Sequence, residues 1–174
     1  MKLFKKIISI LVIFFAFQAN LIADVPYYLD FKYILNQSDA GKKAQVSLKN
    51  KLDSGIKKLQ VKEKEIQEEE KQIIKQKKVV SAEEYKKKVS QLRNKVSTLQ
   101  KERSSLLKTV ADERSKMRSE LLKHLNPIIK EFMKEKNIRM VIDKKSMLLA
   151  DENLDITKDI IKKLNAKLKT IKLN

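Results

Sequence analysis

The sequence predicts a mainly α chain with a small β body, in which a long antiparallel coiled-coil hairpin arm projects from a strand-rich oligomerisation body formed by both chain ends. Three observations predict it. Turn formers are scarce, with two glycines and two prolines in 174 residues, while 36% of residues are charged; heavy use of Lys, Glu, Leu and Ile with few turn formers points to long helices. Apolar residues recur at seven-residue intervals through the middle of the chain. Short β-prone runs stand at its two ends.

The first residues are read as an export signal rather than as part of the fold. Lys2, Lys5 and Lys6 precede an apolar run from Ile7 to Phe17, and Ala23 supplies a small residue before Asp24. This is the three-part layout of a cleaved secretory signal, cut after Ala23. The apolar run is about half the roughly 20 residues that a spanning helix needs. No cysteine is present to carry a lipid anchor or a disulfide framework, so stability must come from packing or oligomerisation. The expected divisions are 1–23 for the signal, 24–40 for the first part of the body, 41–136 for the arm with its tip near 78–82, and 137–174 for the rest of the body and a terminal helix.

A strand is expected over Pro26 to Phe31, followed by a turn. Asn36-Gln37-Ser38-Asp39 then offers side-chain oxygens to cap an oncoming helix. In the first half of the arm Leu52, Leu59, Ile66 and Ile73 lie seven apart, with Ile56 between them and Glu63 and Glu70 in the later intermediate positions. In the second half Tyr85, Val89, Leu92, Val96, Leu99, Leu106, Val110 and Met117 continue the pattern, interrupted by Arg103 and Glu113. Ser81-Ala82-Glu83-Glu84 reads as a capping box, with Glu83–Lys87 and Glu84–Lys88 as acid-before-base pairs one turn apart. A new helix therefore starts at the tip and the chain reverses. Pro127 is expected to bend the second helix or mark a boundary. Asn137 can take the left-handed conformation that ends a helix. Ile138 to Asp143 and Ser146 to Ala150 read as strands joined by a Lys144-Lys145 turn. Asp155 or Thr157 then caps a last helix with the stripe Ile160, Ile161, Leu164 and Leu168.

Three short strands and a short helix bury too little surface to stand alone, and a two-helix seam buries only its own stripe. Oligomerisation through the body would cover its strand edges. The formal net charge of +18 implies attraction to polyanions without choosing among them. Lys71, Lys75, Lys77 and Lys78, with Lys86, Lys87 and Lys88, concentrate positive charge at the tip, either as a solvated end or as a steering surface for acidic clients or membrane lipid phosphates. Catalysis is not expected. His124 is the single histidine and fits a solvated helix position. Glu68, Glu69 and Glu70 are consecutive and point in different directions, and two glycines cannot form a phosphate loop. No cofactor or metal is expected, and a nucleic-acid role is disfavoured by the export signal and the few aromatic residues in the basic region.

Both ends of the chain carry a likeness. Tyr28-Leu29-Asp30 with Ile34-Leu35-Asn36-Gln37-Ser38-Asp39-Ala40-Gly41-Lys42-Lys43-Ala44-Gln45 resembles the opening of Skp/OmpH chaperones. Met140-Val141-Ile142-Asp143-Lys144-Lys145, Leu148-Leu149-Ala150, Leu154-Asp155-Ile156-Thr157 and Leu164-Asn165 resemble their C-terminal signature. The resemblance implies a periplasmic homotrimer whose three hairpin arms enclose a cavity for unfolded outer-membrane proteins. It implies an ATP-independent holdase, with Tyr28, Leu29, Val141, Ile142, Leu148 and Leu149 in the trimerisation body. Tyr28 and Leu29 stand where smaller aliphatic residues are expected, and Asn137 where glycine is common. The rival reading is a structural coiled-coil adaptor or tether in the cell envelope.

Overall fold

The computed structural model describes residues 25–172; the expected signal and its cut after Ala23 lie outside them. The order is β1 (Tyr27–Leu29), α1 (Phe31–Gln37), α2 (Asp39–Gln76), α3 (Ala82–Lys136), β2 (Val141–Asp143), two short 3-10 turns (Lys144–Ser146 and Glu152–Leu154) and α4 (Thr157–Lys167). The described chain is thus mostly helical with a small two-stranded sheet.

β1 is shorter than the expected strand because Asp30 starts a helix. Its carboxylate accepts the Tyr33 N–H at 2.7 Å, and α1 then turns Phe31 and Ile34 into the core. At the next corner Ser38 caps α2, accepting the Gly41 N–H at 3.2 Å while itself fully buried. Gly41 is required by close approach: a Cβ there would lie 2.1 Å from the Leu35 carbonyl oxygen. α2 and α3 pack side by side, and their partners run in opposite senses. Lys51 meets Glu113, Lys62 meets Glu102 at 2.6 Å, Glu69 meets Lys95 at 2.6 Å, and Gln76 meets Lys88 at 2.6 Å. At about 1.5 Å per residue, the 38-residue α2 is about 55 Å long.

α3 runs through Pro127 without interruption. Proline there removes a donor, at a cost of about 3 kcal/mol in an isolated helix. Here Pro127 is exposed, so its face of the helix meets water, while Leu121, Leu125, Ile128 and Phe132 on the opposite face are buried. Tertiary packing outweighs the local penalty. Asn137 ends α3 with φ 53° and ψ 35°, the left-handed conformation. The Ile138 N–H then bonds the Met133 carbonyl at 2.8 Å.

β1 and β2 are parallel, with Tyr27, Tyr28 and Leu29 opposite Val141, Ile142 and Asp143. The second C-terminal strand does not form. Asp143 caps a 3-10 turn at Lys144–Ser146, and residues 147–150 follow outside any strand or helix. The other edge of β1 is met instead by Asp155, bridged to Tyr28, with the Ile156 N–H donating to the Tyr28 carbonyl at 2.9 Å. A β-prone run becomes a strand only where a ladder partner is offered, and that place goes to Asp155.

The main core joins Leu29, Phe31 and Ile34 to Leu121, Leu125, Ile128 and Phe132, closed by Ile138, Ile156, Ile160 and Leu164. The last turns of the helix read from sequence as arm therefore furnish one wall of the body. The strands and terminal helix are not left to bury a core by themselves. Thr157 ties the ends: its hydroxyl accepts the Asp30 N–H at 2.8 Å and bonds the Asp155 carboxylate, which also accepts the Thr157 N–H.

Candidate functional site: the arm tip, the arm faces and the body edge

The tip is built by the chain reversal. The carbonyl of Gln76 accepts from Val79 and Val80, folding Lys77–Val80 into a tight turn, and Ser81 caps α3 by accepting the Glu84 N–H at 3.2 Å. Of the two expected pairs one turn apart, Lys88 reaches Glu84 at 3.5 Å, whereas Lys87 is unpaired among the described residues. The reversal brings both lysine runs to one end of the molecule. Lys71 pairs with Glu68 at 3.3 Å; together with Gln72 it hydrogen-bonds the Glu68 carboxyl and holds it below the usual carboxylate range, with Lys75 adding attraction. Lys88 is held by Gln76 and Glu84. Lys77, Lys78, Lys86 and Lys87 form no ion pair among the described residues. The tip therefore carries four uncommitted ammonium groups around Val79, which is 84% exposed. Glu68 and Glu69 turn to different partners, Lys71 and Lys95, as consecutive helical residues must.

Along the arm the seam is thin. Leu59, Ile73, Leu99 and Val110 are buried, while Ile56 and Val96, expected inside, lean outward. Two polar interruptions answer each other: Arg103 meets Glu63 at 3.5 Å. Glu113 takes Lys51. Exposed pairs of this kind contribute about 0.2–1 kcal/mol each, so they fix register more than they hold the helices. Val46, Val61, Ile74 and Leu107 stand exposed on the arm. Sequence reasoning passed over them because they fall outside the seven-residue pattern; that mismatch was itself the available signal.

The six residues assigned to the body separate into two groups. Tyr28 and Leu29 are buried by their own chain, and Val141 and Ile142 are half-buried. Leu148 and Leu149 are fully exposed. Leu148, Leu149 and Met147 form one side of a concave surface closed by Tyr28, Lys144, Asp155 and Lys158. His124 is exposed on α3.

Residues 27–164 match the family described as outer membrane protein, OmpH-like. No curated protein matches the chain. Among solved structures it is similar to an OmpH-like outer membrane chaperone from Caulobacter crescentus CB15, with a TM-score of 0.79 at 20% identity, over 91% of this chain and 95% of that one. At that identity the likeness concerns the fold, and the family match covers well over half of the chain. The chain belongs to the OmpH-like family, the Skp/OmpH group that its two ends resemble.

Proposed function

We propose that this chain is a periplasmic, ATP-independent holdase that shelters unfolded outer-membrane β-barrel proteins between the arms of a homotrimer. The observation that carries the reading is the arm itself in a member of this family: a two-helix lever about 55 Å long with apolar side chains left on its surface. Leu148 and Leu149, bare on the body, support assembly through that edge. A client with exposed strands needs separation from other clients more than a tight pocket, and a space between arms provides it. The free tip lysines supply fast, reversible attraction to acidic segments or to lipid phosphates.

The test is dilution of an unfolded outer-membrane protein from urea, with and without the exported chain, followed by light scattering. Suppression at about three chains per client supports the trimeric holdase. Unchanged aggregation beside a folded chain would replace it with an envelope tether that binds one partner stoichiometrically.

A further inference from the structure

The family match ends at residue 164, yet the chain continues in an ordered path over the root of the arm. We infer that Asn165–Lys172 is a strap that fastens α2 to α3 at the root and so makes that root a two-helix beam.

Three holds support this. The Asp39 N–H, first in α2, donates to the Asn165 side-chain oxygen at 2.9 Å. It is one of the donors that a helix start leaves without an internal partner. The Lys169 ammonium reaches the Asp39 carboxylate at 2.9 Å. Ile171 packs against the cluster that Ala44 and Leu48 of α2 form with Met117 of α3, and against the main core as well. Leu168 packs on the main core and anchors the strap's near end.

The two arm helices enter the body differently. α3 passes from tip to core as one unbroken helix. α2 begins at a corner, with Ser38 and Gly41 in the turn. Apart from the strap, the root of α2 is held by its seam of Ala44, Leu48 and Met117, by Leu35 of α1 packed on that seam, and by the Gln45–Asn36 hydrogen bond at 3.1 Å. A change of about 10° at the root of a lever about 55 Å long moves its tip by roughly 10 Å. Stiffness at the root therefore sets how widely the tip ranges. The ion pair is exposed and contributes little; Ile171 is the principal hold.

The exported chain is compared with Ile171→Asp, Lys169→Ala and a chain ending at Leu168, by hydrogen exchange and by tip-to-body distance. The chain lacks cysteine, so Val79→Cys and Lys158→Cys carry spin labels without interference, diluted among unlabelled copies. Ile171→Asp and the truncation should speed exchange at residues 40–48 by about tenfold, leave α4 unchanged, and broaden the distance distribution. Lys169→Ala should do so weakly. Unchanged root exchange and distance width would overturn the strap. So would acceleration spread equally through α4, which would make the tail merely part of the body's core. Neither readout involves a client, so failure here is separate from failure of the holdase reading.

Discussion

Gly55 of α2 lies directly beneath Leu106 of α3: a Cβ on the glycine would come within 2.6 Å of both Leu106 methyl groups. The absent side chain is the hole into which the leucine fits. Alanine in a helix is ordinarily favoured over glycine by about 1 kcal/mol. Here that gain is opposed by the need to move a half-buried leucine. Gly55→Ala should therefore be less favourable with Leu106 present than in a Leu106→Ala background, with a coupling of about 1 kcal/mol. Urea titration of the four chains measures it; strict additivity would dissociate the two residues.

Gly41→Ala presents a harder obstacle, because the added carbon would meet the Leu35 carbonyl and the Ser38 hydroxyl rather than a flexible tip. Backbone at a capped corner cannot yield cheaply. The substitution should cost about 3 kcal/mol, with the loss seen as a lower urea midpoint at fixed chain concentration.

Leu121, fully buried in the body, and Leu59, buried in the arm at 8% exposure, should separate body from arm energetically. Leu121→Ala should cost about 4 kcal/mol and Leu59→Ala about 2 kcal/mol, since two helices can close on a gap more readily than a many-sided core. Equal losses would mean that the arm is as tightly packed as the body.

Acid should loosen the attachment of the tail. The Lys169 hydrogen bond holds Asp39 below its ordinary value of 3.8, and the Lys167 hydrogen bond holds Glu131 below 4.5. Groups depressed on folding contribute fully above the unfolded values, and that contribution disappears as pH falls through the folded ones. The unfolding temperature should accordingly decline between about pH 5 and about pH 3. Lys163, raised by its hydrogen bond to Glu135, has the opposite sign. Its share is complete below 10.5 and lost as pH rises through the folded value. Lys167→Gln with Lys169→Gln should flatten the acid limb; an identical slope would remove these pairs from the account.

Changing Lys77, Lys78, Lys86 and Lys87 to Gln should leave the unfolding temperature within about 0.5 kcal/mol equivalent, as expected for surface positions without partners. Capture of an unfolded client at low salt should slow, and the difference should fade as salt is raised. Equal capture rates would leave the tip a solvated end.

The helical pair was legible because its signals are local and repeated. Ser81 followed by Glu84 states where the second helix begins, and Asn137 states where it ends. The body was less legible because its structure depends on distant partners. Nothing local says that the β-prone Ser146–Ala150 run will lose its ladder position to Asp155. Pro127 does not end the helix for the same reason: the residue favours a boundary, and the buried neighbours that outweigh it lie on other elements. Asp30 could have been read as a cap, with Phe31 and Ile34 three apart behind it. At the candidate sites the tip lysines were legible by counting charge. Which of them remain unpaired depends on how the helices face each other.

The position of β1, between β2 and Asp155, also bears on how the body can be assembled. Asp30 and Thr157 are bonded across 127 positions, so this contact closes a long loop. Closing so long a loop in one step carries an entropic penalty that adjacent pairings avoid. Zipping α2 against α3 from the tip delivers residue 44 to residue 117 and leaves short tethers at either end. A paired arm thus brings the two parts of the body within reach of each other. A chain ending before Thr157 should keep its helical signal and fail to bury Leu121, leaving a finished arm on an unclosed base.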